Sequence, residues 1–315
     1  MLKIDHQKIL WEYDGDILVI EPWGANSLRV RASHMKPLAQ EPLWALLPQQ
    51  EVSAHAQETT YRSRNAVRLD NGAISAVIEE NGRVTFLDKN EAILLQEFQR
   101  DRTMRGTNYS PMMIKSREFS PLTGQTNRLT VRFESDPDEK LYGMGQYQQE
   151  TFNLKGSVLE LAHRNSQVSV PFTLSSKNYG FLWNNPAVGK ATFGTNRTEW
   201  EAFSTTQMDY WITAGDSPQQ ILSQYAHATG MPSPMPEFAT GFWQCKMRYR
   251  TQEELLEVAR EYKRRNLPIS VIIIDFFHWP EQGVWDFDPE YWPDPEAMVQ
   301  ELNEMGIKLI PYGLP

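Results

Sequence analysis

The stretch ISVIIIDFFHWPEQGVWDFDPEYWPDP, residues 269–295, ends an apolar run on a charge and then surrounds it with rings. Six of its first seven positions suit a buried strand, and the seventh is Asp275. Seven Phe, Tyr or Trp side chains follow between positions 276 and 292. A strand apolar on both faces and rich in Ile and Val belongs between two layers, as in a parallel sheet. In a parallel α/β layout the ligand end lies at the C-terminal ends of the strands. Asp275 stands there, where its carboxylate can accept hydrogen bonds from ligand hydroxyls. The rings of Phe276, Phe277, Trp279 and Trp285 can wall a pocket and exclude water.

The flanking sequence keeps the same rhythm. Upstream, ATGFWQCK (239–246) reads as a first strand, with Gln244, Cys245 and Lys246 at its ligand end. TQEELLEVAREYKRRN (251–266) reads as a helix. Thr251 and Glu254 form a capping box, Leu255, Val258, Ala259 and Tyr262 line one face, and Lys263, Arg264 and Arg265 suit the helix dipole. Downstream, Asp294 caps a helix that starts at Pro295 and runs to about Met305-Gly306, and IKLIPY (307–312) begins a third strand. Pro311 is unexpected there, since the interior of a sheet does not tolerate proline.

Before residue 231 the texture differs. NAVRLDNGAISAVIEENGRVTFLD (65–88) holds three short strands joined at Asn71-Gly72 and Asn81-Gly82. RLTVRFES (128–135) alternates, with Leu129, Val131 and Phe133 on one face. Many short strands with regular turns predict a large β-sandwich. DSPQQILSQYAHATG (216–230) reads as one helix, capped by Asp216 or Ser217 and ended by Gly230. MPSPMP (231–236) carries three prolines in six residues and marks a boundary. The expected organisation is multi-domain, β then α/β: a β-sandwich over 1–230, a Pro-rich linker over 231–236, and an α/β segment over 237–315.

Composition narrows the function. The 31 basic and 40 acidic side chains leave a net charge of −9, which argues against nucleic acid or an anionic membrane as partner. With one cysteine, Cys245, no internal disulfide can form. The N-terminal residues show no signal-peptide pattern, so a cytoplasmic protein is expected. Asn108 and Asn196 open N-x-S/T triplets, which carry no weight without secretion. Ten tryptophans suit either an aromatic core or a pocket for the flat faces of sugar rings.

Each singled-out residue has a plainer role to set beside the functional one. Asp275 can cap the next turn through its backbone. Asp286 and Asp288 suit turns better than sites, and Asp294 suits an N-cap. His278 has no paired ligand spacing nearby, so no metal is expected. Cys245 has no evident His partner and reads as a buried small hydrophobe.

MPSPMPEFATGFWQCKMRYRTQEELLEVAREYKRRNLPISVIIIDFFHW (231–279) resembles the start of the catalytic barrel of glycoside hydrolase family 31. LYGMGQ, HRNSQVSVPFTLSSKNYGFLWNNP and FDPEYWPDPEAMVQELNEMGIKL are similar to further segments of that family, in the same order. The resemblance implies an N-terminal β-sandwich followed by a (β/α)8 TIM barrel, of which this chain holds the first three strands. It implies a retaining α-glycosidase acting on an oligosaccharide or α-glycoside, with no cofactor. Asp275 matches the family aspartate that binds sugar hydroxyls, and Phe277 and Trp279 match aromatic positions that shape the same subsite. The Asp-x-Phe-x-Trp form is similar to α-xylosidases more than to typical α-glucosidases, which tend to carry a second acid soon after the first; a bulky ring there would fill the space that a glucose hydroxymethyl needs, which favours xylose. The loop from Tyr142 to Gln146 resembles one that reaches the active-site mouth, with Gln146 where many relatives have Glu.

A complete barrel needs about 250 residues. The nucleophile and the general acid/base of the family lie on later strands, so neither is expected here. The departure at Pro311 suggests truncation, an inactive chain and a loose barrel segment. The other expectation is a non-catalytic carbohydrate-binding or interaction protein. Oligomeric state is not legible.

Overall fold

The computed structural model describes residues 1–49, 52–100 and 113–312. Asn108 and residues 313–315 lie outside the described residues. The chain divides into two units, Met1–Met231 and Pro232–Pro315.

Short strands and tight turns build the first unit. It opens with β1 (Leu2–Asp5), β2 (Lys8–Tyr13), β3 (Asp16–Pro22) and β4 (Ser27–His34), each antiparallel to the next. A second meander comprises β5 (His55–Tyr61), β6 (Arg64–Asn71), β7 (Ile74–Glu79), β8 (Val84–Asp88) and β9 (Ile93–Gln96). The two Asn-Gly pairs join β6 to β7 and β7 to β8, as their sequence predicts. Glycine is needed at 82 for a second reason: a Cβ there would lie 2.5 Å from the Trp11 ring. The remaining strands are β10 (Arg117–Pro121), β11 (Asn127–Glu134), β12 (Leu141–Gln146), β13 (Val158–Leu161) and β14 (Val168–Ser175). They are followed by β15 (Tyr179–Trp183), β16 (Gly189–Phe193), β17 (Arg197–Thr205) and β18 (Met208–Ala214).

These strands form one eight-stranded sheet, β1-β2-β3-β4-β18-β15-β14-β12, and two five-stranded sheets, β5-β6-β7-β8-β9 and β10-β11-β17-β16-β13. A bridge between Glu97 and Phe133 links the two smaller sheets. One core serves all three. Ile20 and Val30 of the large sheet, Ile78 and Phe86 of the meander, and Leu129, Val131 and Phe133 of the third sheet belong to it, each fully buried. The period-two pattern of β11 is thus a core face, as its alternation predicts.

The outer face of the large sheet is covered by α1 (Pro218–Thr229) and the residues before β5, through Trp23, Leu46, Phe172, Trp211 and Ile221. Ser217 caps α1 by accepting from the Gln220 N–H. Within the Tyr142–Gln146 loop, Gly143, Met144 and Gly145 all have positive φ, and the β12–β14 register shifts there. A Cβ on Gly145 would lie 2.3 Å from the Val168 carbonyl oxygen. The bulge turns Met144 into the core and leaves Gln146 exposed.

The second unit is a βαβαβ segment. After a 3-10 turn, Glu237–Thr240, come β19 (Trp243–Lys246), α2 (Gln252–Arg264), β20 (Val271–Ile274), α3 (Pro295–Glu304) and β21 (Lys308–Pro311). The three strands are parallel, in sequence order, with β20 in the middle. Leu255, Leu256 and Ala259 of α2 and Met298 and Leu302 of α3 pack on Ile272 and Ile274. The capping box is half formed: Thr251 accepts from the Glu254 N–H, but the Glu254 carboxylate turns to the Arg250 N–H and Lys246. Pro311 is accommodated, contrary to the expectation from sequence. It ends β21, whose only strand neighbour among the described residues is β20, so the ladder loses no N–H that it needs.

Charges inside the sandwich are paired. Arg29 on β4 and Asp209 on β18 form a two-pronged bridge, Nε–Oδ1 3.1 Å and Nη2–Oδ2 2.5 Å, with side chains 1% and 2% exposed. Removing one partner strands a buried charge, which costs roughly 3–5 kcal/mol. Asp209→Ala is therefore expected to lower the urea-unfolding free energy by about that much, while Arg29→Met/Asp209→Leu recovers most of it. A double variant no more stable than Asp209→Ala would remove the pairing explanation.

Candidate functional site

The site grows from the end of β20. Ile272 and Ile274 face the helices, so residues of odd number face the other way. Asp275 continues that odd series, and Cys245, which pairs in register with Ile273, shares its face. Their side chains meet at 3.9 Å, Sγ to Oδ2. Asp275 Oδ1 accepts from the Phe276 N–H at 2.8 Å, so one oxygen serves the turn. The two sequence readings of this residue coexist: Oδ1 caps, and Oδ2 has only the weakly donating thiol as a partner among the described residues.

The aromatic run splits. Phe277 is 60% exposed and has φ +100. A bulky residue with such a φ is a backbone outlier of the kind that clusters at ligand sites. Its ring carries the Arg248 guanidinium at 4.9 Å. Trp279 departs from expectation: it is 6% exposed, edge-on to Phe276, Phe277 and His278. It backs the exposed ring instead of lining a pocket, because the chain turns inward after Phe277. Trp285 is exposed, whereas Trp292 is buried beside Phe287.

The other acids in this stretch are local caps. Asp286 accepts from the Phe287 N–H, Asp288 from the Glu290 N–H, and Asp294 from the Ala297 N–H. The Asp288 N–H donates to the His278 carbonyl at 2.7 Å, which closes the loop onto the strand end. Burial pushes His278 below its ordinary pKa, against the opposing pull of the Asp275 carbonyl. A neutral buried imidazole suits packing between Trp279 and Phe287.

Beside Asp275 lies an open cleft of ≈ 620 Å³, lined by Lys246, Arg248, Arg250, Glu254, Phe276 and Phe277 among others. Arg248 and Arg250 were not singled out from sequence. They sit in a loop without periodicity, and only the fold brings Arg248 onto the ring. Gln244, expected at the ligand end, instead binds the hydroxyls of Tyr249 and Tyr262 and anchors α2.

Cys245 is exposed, not buried, because it lies on β19, the edge strand of this sheet among the described residues. Partial desolvation, then the Asp275 charge, raise its thiol pKa. The thiolate is the reactive form. The reaction of Cys245 with a disulfide reagent is therefore expected to keep rising with pH and to level off at a higher pH than that of an ordinary exposed thiol. Asp275→Asn removes the charge and shifts that profile to lower pH; an unmoved profile would show that the two side chains do not interact.

Two family profiles match this chain. The description Glycosyl hydrolase 31 N-terminal galactose mutarotase-like domain covers residues 17–190, and Glycosyl hydrolases family 31 TIM-barrel domain covers residues 232–315. An uncharacterized family 31 glucosidase of Pseudescherichia vulneris is 52% identical over 317 residues, spanning 98% of this chain and 59% of that protein. Alpha-xylosidase A of Aspergillus niger is 32% identical over 313 residues, covering 92% of this chain and 41% of that protein. The crystal structure of an α-xylosidase of the same family from a soil metagenome, complexed with xylose, superposes with a TM-score of 0.91 at 51% identity. It covers 99% of this chain, which spans 46% of that one.

Proposed function

Since the chain belongs to glycoside hydrolase family 31, we propose that it supplies the N-terminal domain and the first sugar-binding strand ends of a retaining α-glycosidase that prefers α-xylosides. The observation that carries this is the pair Asp275 and Phe277: a carboxylate oxygen open to ligand hydroxyls, beside an exposed ring held at φ +100. Asp275 Oδ2 accepts from sugar hydroxyls. The Phe277 ring takes the space that a hydroxymethyl on C5 would need, so the pocket suits a pentose. Two similar proteins named as α-xylosidases, one of them complexed with xylose, support that preference.

Retention of configuration needs two carboxyl groups about 5 Å apart, one a nucleophile and one a general acid/base. Asp286, Asp288 and Asp294 are each held by a backbone N–H in a local turn or cap. Asp275 has a binding geometry and no carboxylate partner among the described residues. The double displacement thus draws its chemistry from strands that follow β21 in a complete barrel, and these 315 residues alone bind without turning over.

The test joins residues 1–315 to the remaining C-terminal sequence of the Pseudescherichia vulneris relative. The chimera is expected to hydrolyse an aryl α-xyloside faster than the matching α-glucoside, while residues 1–315 alone hydrolyse neither. Asp275→Ala in the chimera should cost about 10- to 100-fold in kcat/KM. Phe277→Ala should reduce the xyloside preference by about tenfold, the scale of one small group in a pocket. Turnover by the 315-residue chain, or a Phe277→Ala chimera with unchanged preference, would overturn the corresponding half of the reading.

A further inference from the structure

A second pocket lies wholly within the first unit, where α1 covers the outer face of the large sheet. Its volume is ≈ 290 Å³, and Trp23, Leu47, Gln220, Ser223, Gln224 and His227 are among its walls. None of its lining residues is Asp, Glu, Lys or Arg. In a chain with 31 basic and 40 acidic side chains, a polar pocket lined by none of them offers an ionic ligand no carboxylate, ammonium or guanidinium as a counter-charge and suits a neutral one better.

Two of the polar groups are held in fixed orientations. Gln220 Oε1 accepts from the Asp216 N–H at 2.8 Å, and Gln224 Oε1 accepts from the Thr213 hydroxyl. The Gln220 bond comes from a backbone N–H and thereby sets the direction of its amide nitrogen, whereas the single Thr213 proton is shared between Gln224 and the Asn26 carbonyl. The Gln220 nitrogen has no hydrogen-bond partner among the described residues, so it remains a donor for a ligand. His227 Nδ1 lies 2.7 Å from the Ser223 carbonyl, which can only accept. The neutral ring therefore carries its proton on Nδ1 and offers Nε2 as an acceptor. The apolar part is equally fixed. Trp23 donates its indole N–H to the Leu47 carbonyl at 3.2 Å, and the Arg29 guanidinium covers its ring at 4.5 Å.

We propose that this pocket binds one neutral sugar ring, at a site separate from Asp275. The apolar wall formed mainly by Leu47 and Pro48 meets the C–H face of such a ring, the Gln220 amide donor, the Gln224 amide and an imidazole acceptor meet its hydroxyls, and the volume suits a single ring. The inference stands whether or not the barrel-end reading holds.

The test uses the full chain carrying Asp275→Ala, which silences the other candidate site. D-xylose, D-glucose and D-glucuronate are each titrated by calorimetry. Saturable millimolar binding of at least one neutral sugar is expected, with glucuronate at least about tenfold weaker because its carboxylate finds no counter-charge. Ser223→Trp fills the pocket and should abolish binding. Gln220→Leu keeps the shape, removes one donor and should weaken binding by about fivefold. Thermal unfolding verifies that each variant folds, and Gln220→Leu carries the test if Ser223→Trp does not. The proposal fails if neither neutral sugar binds saturably, if glucuronate binds as well as they do, or if a folded Ser223→Trp variant and Gln220→Leu bind like the parent.

Discussion

The parity of one residue number organises the candidate site. Side chains alternate along β20, and the helices claim Ile272 and Ile274, so Asp275 must leave on the opposite face beside Cys245. Pairing of β20 on both sides holds the strand end in place, and the Tyr312 N–H extends the ladder to the Ile274 carbonyl at 2.8 Å. The bend at Phe277 then exposes one ring and buries the next, so Trp279 braces what Phe277 presents. A shift of one residue in the β20 register would aim the carboxylate into the helix layer and put Ile274 or Phe276 in its place.

The sandwich uses charge differently. Arg29 with Asp209, Arg31 with Glu21, and Arg117 with Glu97 are all largely withdrawn from water. Burial pushes Glu97 above the usual carboxylate range despite Arg117 and the Val84 N–H. Asp209 is displaced in the same direction, again with burial outweighing its arginine. Such pairs are costly to form, yet each ties strands that are distant in sequence, and a wrong partner would leave a charge alone in the core.

Local features were legible because they depend on neighbours in sequence. The Asn-Gly turns, the Ser217, Thr251 and Asp294 caps and the alternation of β11 required no knowledge of the fold. The position of Asp275 at the C-terminal end of its strand was legible for the same reason. The partition of the rings was not, because Phe277 and Trp279 differ in burial through a backbone bend that no composition encodes. Cys245 was misread because β19 has one strand neighbour among the described residues, and Pro311 because β21 likewise pairs there with β20 alone.

The strand order has a consequence for how the molecule is made. β4, complete by His34, takes as its neighbour β18, which starts at Met208. On the ribosome the first four strands therefore wait, with an edge unpaired, while most of the sandwich is synthesised. The β5–β9 meander pairs only consecutive strands and can form as it emerges. The nascent chain is thus a finished meander beside an open ribbon, exposed to chaperones and to other unpaired edges, until one strand translated near the end of the sandwich closes the large sheet.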